Sequence, residues 1–206
     1  MEKASITKAT LGRLPLYLKY LKDLSDNDLD CVSATMISKD LDLGEVMVRK
    51  DLGAVSGAGK PKIGYVKSEL INSIENCLGY RNRTNAVLVG AGKLGKALLD
   101  FDEFEKYGVT IAAAFDCNEK AIRLGSSREV LPMNQFDEFC RTHDVQIGII
   151  TVGEGSAQMV CDQMVKSGIS AIWNFAPCRL KAPEGVIIMQ ENLALSLAYL
   201  NNQLGN

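Results

Sequence analysis

Apolar side chains recur at helical spacing along the first eighty or so residues and fall into short unbroken runs along the rest, so the chain changes texture partway. Leu11, Leu14, Leu18 and Leu21 stand at i, i+3, i+7 and i+10, one face of a helix expected over 13–24. Pro15 fits that helix only in its first turn, where a missing amide proton costs nothing. The polar run SDNDLD, 25–30, reads as a loop. Ser33 is placed to cap a second helix that turns Ala34, Ile37 and Leu41 inward. Leu43-Gly44 offers a turn that admits positive φ. A third helix, from about Glu45, buries Val48, Leu52 and Val55 and leaves Arg49 and Lys50 outside. Two short helices about a glycine turn, the second with exposed basic residues, form a helix-turn-helix arrangement. In SGAGKPKIGY, 56–65, Gly57, Gly59, Pro61 and Gly64 forbid helix and suggest a hairpin wing tipped by Lys60 and Lys62. Ser68 is expected to cap a helix running to Leu78, and GYRNRTN, 79–85, to be a polar linker.

Beyond this linker, apolar runs at 86–90, 109–116, 145–152, 170–176 and 185–189 read as buried parallel strands, with helices of about ten residues between most of them. That alternation predicts a doubly wound α/β sheet. The closing ENLALSLAYLNNQL is a helix with Leu193, Leu197, Leu200 and Leu204 on one stripe. Leu195 and Tyr199 widen the stripe, so the helix needs cover from more than one side. The expected organisation is a winged-helix domain over 1–80, a Rossmann-like domain over 85–190 and a C-terminal helix over 191–206.

One strand-to-helix junction carries chemistry. Gly90-Ala91-Gly92-Lys93-Leu94-Gly95 matches G-x-G-x-x-G, with a strand before it and a helix over 93–99 after it. The first glycine allows the tight turn, the second lets a pyrophosphate approach the backbone, and the third lets helix and strand pack closely. Asp116 ends the next strand, 21 residues after Gly95, where a carboxylate can accept hydrogen bonds from the adenosine ribose. Cys117 and Asn118 follow, with no arginine to neutralise a 2′-phosphate. NAD(H) is therefore the expected ligand.

Net charge is −2, so attraction to a polyanion must be local. From Val46 to Lys67 the basic residues Arg49, Lys50, Lys60, Lys62 and Lys67 stand against Asp51 alone. That is a basic patch on a mildly acidic chain, suited to double-stranded DNA, with arginine reading guanine and wing lysines meeting phosphate. The length of 206 residues suits two compact units. The six cysteines are scattered, without C-x-x-C spacing, and read as core thiols of a reducing cytosol rather than metal ligands or disulfides. No apolar run spans a membrane, and a cytoplasmic location is expected. Dehydrogenase chemistry has poor candidates. His143, the single histidine, lies in a polar loop, and Glu154 stands near the cofactor crevice without a partner for catalysis.

Taken together, RLPLYLKYL at 13–21, VRKDL at 48–52, VGAGKLGKAL at 89–98, FD at 115–116, NFAP at 174–177 and the closing leucine-rich helix resemble, in that order, the Rex family of redox-sensing transcriptional repressors. The resemblance covers nearly the whole chain. It implies a homodimer whose winged-helix domains bind a palindromic operator and whose nucleotide domains sense the NADH/NAD+ ratio. The C-terminal helix is then exchanged between subunits, and NADH closes the dimer and releases DNA. The residues expected to hold the nucleotide are Gly90 to Gly95, Asp116, Thr151, Val152, Gly153 and Asn174. Those expected at DNA are Arg13, Ser33, Arg49, Lys50, Lys60 and Lys62. The chain departs from the family pattern at Gly53-Ala54-Val55-Ser56, at Pro61-Lys62, at Thr151-Val152-Gly153-Glu154, and at Phe101 and Asn192, which stand where the family pairs a tyrosine with an aspartate. Two other readings stay open on sequence grounds: a small NAD-dependent oxidoreductase with an N-terminal interaction domain, and a DNA-binding relative with weakened redox response.

Overall fold

A computed structural model describes residues 6–24, 30–123 and 128–205. The chain divides into two compact units, Met1–Asn82 and Arg83–Asn206. Most of the loop read at 25–30 lies outside the described residues.

In the first unit, α1 (Lys8–Asp23), α2 (Ala34–Asp40), α3 (Glu45–Ser56) and α4 (Lys67–Cys77) surround a core of Leu14, Tyr17, Leu18, Leu21, Ile37, Val48, Leu52, Leu70 and Ile74. Strands β1 (Cys31–Val32) and β2 (Tyr65–Val66) pair antiparallel. Helix α1 begins five residues before its expected start, because the Thr7 hydroxyl accepts from the Thr10 amide and caps it there. Pro15 therefore lies inside the helix, and Leu11 points outward, 41% exposed. Ser33 caps α2 as expected, its Oγ accepting from the Met36 amide at 3.1 Å. In the turn between α2 and α3 the positive φ belongs to Asp42, at 52°, while Gly44 has φ −67° and caps α3. Aspartate tolerates the left-handed region better than most side chains, so no glycine is needed. Helix α4 is capped by Val66 rather than Ser68. The Lys67 amide bonds Asp30 O at 2.9 Å, so strand pairing sets that helix start.

The second unit is a six-stranded parallel sheet: β3 (Thr84–Val89), β4 (Val109–Asp116), β5 (Val130–Pro132), β6 (Val145–Ile150), β7 (Ala171–Asn174) and β8 (Ile187–Gln190), in spatial order β5-β4-β3-β6-β7-β8. The order reverses between β3 and β6, the switch point where such sheets bind ligands outside the strands' carboxyl ends. The connections are α5 (Lys93–Leu99), α6 (Glu103–Lys106), α7 (Glu119–Arg123), α8 (Phe136–Thr142) and α9 (Glu154–Lys166). Most are shorter than ten residues, and β7 runs to β8 with no helix between. Strand β5 escapes sequence detection because it holds three residues and ends in proline. Thr84 and Asn85, read as linker, belong to β3.

One sheet face is covered by α8 and α9 through Phe136, Cys140, Ala157, Val160, Cys161 and Met164. The other is covered over Leu88 and Ile111 by Leu99 and Phe104. Helix α10 (Leu193–Leu204) closes the chain. None of its described residues is buried, and Leu193, Leu195, Leu197, Leu200 and Leu204 are 57–86% exposed. Among the described residues no helix is long and apolar enough to cross a membrane.

Candidate functional site

The glycine fingerprint is the turn from β3 into α5. Gly90 has φ 108°, and a Cβ there would lie 2.8 Å from the Thr151 carbonyl carbon. A Cβ on Gly95 would lie 2.0 Å from Gly90 O. Both positions therefore exclude every other residue. Gly92 is different: a Cβ there meets nothing within 4 Å. Its bareness serves no protein neighbour, and it leaves the backbone open on the side where a pyrophosphate would sit.

Asp116, at the end of β4, reaches the same turn. Its Oδ2 accepts from the Ala91 amide at 2.7 Å and its Oδ1 from the Asn118 amide at 2.8 Å. Each oxygen keeps acceptor capacity, so the carboxylate is oriented by the backbone with room for two hydroxyl donors. Thr151 locks the facing loop, its Oγ1 donating to Gly90 O at 2.8 Å and its amide to Val89 O at 2.9 Å. Gly90, Ala91, Asp116, Thr151 and Val152 are thus gathered. Lys93 and Leu94 are exposed on the first turn of α5, and Gly153 caps α9.

Asn174, also expected at the nucleotide, is engaged within the protein. It is wholly buried, with Nδ2 donating to Cys178 O at 3.0 Å and to Gln190 Oε1 at 2.7 Å, and Oδ1 accepting from the Ala176 amide at 3.0 Å. It shapes the loop after β7.

His143 offers no catalytic arrangement. Its ring stacks on Phe139 with centroids 3.9 Å apart, and Nδ1 lies 3.0 Å from Phe139 O at the end of α8. Among the described residues no three His, Cys, Asp or Glu side chains gather as a metal site.

In the first unit a cleft of about 670 Å³ opens between α3 and the wing, lined by Ser33, Thr35, Arg49, Gly53, Lys60 and Lys62 with their neighbours. It brings together four of the six residues expected at DNA. The wing tip is a tight reversal in which the Lys60 and Gly64 backbones exchange hydrogen bonds at 2.8 Å. Pro61 takes its second position, and Lys62, at φ 65°, its third. A lysine there carries about 1 kcal/mol of strain that a glycine would avoid. Arg49 pairs with Glu45 one turn earlier on α3. An exposed pair of this kind is worth about 0.3–0.5 kcal/mol and yields readily to phosphate or guanine.

Arg13 is committed elsewhere. Its Nε and Nη2 donate to the two Asp51 oxygens at 2.6 and 2.8 Å, and the Tyr17 hydroxyl donates to Asp51 Oδ2 at 2.8 Å. Asp51 is almost wholly buried. Burial alone would raise its carboxyl pKa, but the hydrogen bonds from Arg13, Tyr17 and Thr10 outweigh it and hold the carboxyl below the ordinary carboxylate range. Burial, then the bond to Asp51, pushes the Tyr17 hydroxyl up to about 12. The triad fastens α1 to α3, and Arg13 orients the helix that Arg49 and Lys50 project from. Sequence reasoning missed it. Its trace was present: Asp51 sits beside Leu52 on the apolar stripe of α3, and Arg13 and Tyr17 are one turn apart on α1.

Residues 81–178 match the family model described as "CoA binding domain", and residues 5–53 match "Putative DNA-binding protein N-terminus". The chain is 35% identical over 207 residues to the redox-sensing transcriptional repressor Rex of Clostridium tetani, covering 98% of each. It is 36% identical over 200 residues to the Rex of Clostridium botulinum strain Hall, covering 97% of this chain and 95% of that one. Among solved structures, RSP in complex with β-NAD+ and operator DNA superposes with a TM-score of 0.85 at 33% identity, over 98% of this chain and 93% of that one. RSP in complex with β-NADH superposes at 0.78 and 32% identity, over 98% and 95%.

Proposed function

We infer the function from one premise: the chain belongs to the Rex family of redox-sensing transcriptional repressors. The protein is a DNA-binding repressor that senses NADH against NAD+, and its nucleotide fold is used for sensing rather than turnover. The observation that carries this reading is the pairing, in one chain, of an open glycine turn watched by Asp116 with a basic cleft between α3 and the wing.

The residues fit the nucleotide. Gly92 leaves its backbone free for the pyrophosphate and Asp116 presents two oriented oxygens for ribose hydroxyls. The same carboxylate, followed by Cys117 and Asn118, repels a 2′-phosphate and favours NAD(H). When bound, the nicotinamide supplies a ring that is positive when oxidised and neutral when reduced. Thr151 and Val152 hold the loop beside the fingerprint where such a difference can be read. A ligand moves an equilibrium only by its differential affinity, so a full switch needs NADH to prefer the DNA-free form by about 5.5 kcal/mol.

Ser33, Arg49, Lys50, Lys60 and Lys62 form the DNA contact in this reading, and Arg13 supports it from behind. Replacing Lys62 by alanine is expected to weaken operator binding about equally on all sequences. The slope of log affinity against log salt should fall by about 1, the signature of one lost phosphate contact. An unchanged slope in a fluorescence anisotropy titration across salt concentrations rules Lys62 out of that contact.

The working species is a homodimer held through α10. Its exposed leucines are each worth about 1.5–3 kcal/mol on burial. An apolar groove of about 380 Å³ lined by Phe104, Ile147, Ile149, Trp173, Ile187 and Met189 with their neighbours lies on the uncovered part of the same unit's sheet. A second copy supplies the matching helix. Leu197→Glu is expected to shift sedimentation from dimer to monomer, and a dimer that persists unchanged argues against α10. A repressor of this kind acts on chromosomal DNA, which places it in the bacterial cytoplasm.

A further inference from the structure

The loops at the carboxyl ends of three adjacent strands are bonded in series. Thr151 Oγ1 reaches Gly90 O at 2.8 Å, joining the loop after β6 to the fingerprint. The Phe175 amide donates to Ile150 O at 2.9 Å, joining the loop after β7 to the end of β6. From there the series continues through side chains. Asn174 Nδ2 donates to Gln190 Oε1 at 2.7 Å, and Gln190 Nε2 donates to Ala176 O at 2.8 Å and to Glu191 O at 3.2 Å. Two residues later Asn192 begins α10, its Oδ1 accepting from the Leu195 amide at 3.0 Å.

The first two side-chain amides in this series differ in kind. Asn174 is wholly buried, with donor and acceptor both engaged, so it is a fixed post of the loop. Gln190 is exposed. Strands β7 and β8 are already in register through Asn174 and Gln190 backbones, so the sheet does not need the Gln190 side chain. Its bonds to Asn174 and Ala176 are part-buried and its bond to Glu191 is exposed, and they are free to be exchanged when the loop after β7 shifts. We infer that Gln190 is a positioning residue that couples the nucleotide crevice to helix α10. The inference rests on the reading of the protein as an NADH-responsive dimer joined through that helix.

The mechanism needs no chemistry beyond hydrogen-bond exchange. A nucleotide that displaces the loop at 175–178 takes Ala176 O away from Gln190, loosens its grip on the fixed Asn174, and releases the 190–192 segment that sets the direction of α10. Coupling is a free energy between two sites, and it is reciprocal. It can therefore be lost while each site keeps its own affinity, which a purely structural role for Gln190 would not allow.

The experiment compares the full-length protein with Gln190→Leu, which removes both amide functions at similar volume, and with Gln158→Leu as a control. Gln158 pins the crossover between β7 and β8 from α9, bonding Lys181 O at 2.8 Å and the Lys181 amide at 2.9 Å, but takes no part in the series. Operator affinity is measured without nucleotide and at saturating NADH, with NADH affinity and sedimentation in parallel. In the wild type NADH should weaken operator binding at least about tenfold. In Gln190→Leu that factor should fall below about threefold, while operator affinity without nucleotide and NADH affinity without DNA each stay within about threefold and the dimer persists. Gln158→Leu should keep the wild-type factor. The inference is overturned if Gln190→Leu retains the wild-type factor, if it sediments as monomer, or if Gln158→Leu loses the factor equally. A wild type indifferent to NADH contradicts the functional reading itself, and is seen before any variant is compared.

Discussion

Asp51→Ala should destabilise the N-terminal unit by about 3 kcal/mol, the low end of the cost of removing one partner from a buried ion pair. The low end applies because the Arg13 side chain is 28% exposed and can turn toward water. The Tyr17 hydroxyl, wholly buried, loses its acceptor as well. Hydrogen exchange read by mass spectrometry localises the effect. Amides of α1, α3 and α4 should exchange about a hundredfold faster, and amides of the parallel sheet should not change. Protection that is equal to wild type in α1 and α3 would show that the triad does not fasten them.

The same triad sets the pH limits of that unit. The folded Asp51 carboxyl is depressed, so its contribution is present above the unfolded value of about 3.9 and is lost as pH falls through the folded one. Tyr17 is raised from 10.0 to about 12. Its contribution is full below the unfolded value and is lost as pH climbs from there through the folded one. Protection of α1 and α3 should therefore erode at both extremes, and in Asp51→Ala the acid limb should flatten.

The second large effect separates the two halves of the glycine fingerprint. Gly92→Val is expected to keep the fold, because a Cβ at Gly92 meets no protein atom within 4 Å. It should lower NADH affinity at least about a hundredfold, since the branched side chain stands where the pyrophosphate must approach. Gly95→Ala is expected to lose affinity and stability together. Its methyl would lie 2.0 Å from Gly90 O, so α5 must move off β3. Calorimetric titration paired with thermal unfolding checks both. A Gly92→Val protein that binds NADH normally would remove the fingerprint from the site.

What the chain discloses before folding depends on the range of the interaction. The fingerprint and Asp116 are legible because phosphate approach and ribose recognition dictate residue types at fixed local spacing. The wing is legible because Gly57, Gly59, Pro61 and Gly64 exclude helix without help from elsewhere. Strand β4 is legible at its full length because eight residues keep one pattern. Strand β5 is not, because three residues hold no period and its place is fixed by pairing with Ala114 to Asp116. The early start of α1 turns on a single hydroxyl at Thr7, a local signal outweighed by the leucine pattern and by the rule for Pro15. The Arg13–Asp51 pair spans 38 residues, and the Gln190 contacts depend on two strands lying side by side. Neither has a spacing to read. Asp42 shows a subtler limit: the turn was correctly expected, but the left-handed residue is the aspartate and not the nearby glycine.

The most direct test is a titration of operator-bound protein, at one fixed salt concentration, with NADH in one series and NAD+ in the other, followed by anisotropy of the labelled DNA. The account predicts release at saturating NADH, with operator affinity at least about tenfold weaker, and retention of DNA at saturating NAD+ with affinity within about twofold. DNA that stays bound in both series, or leaves equally in both, would contradict it.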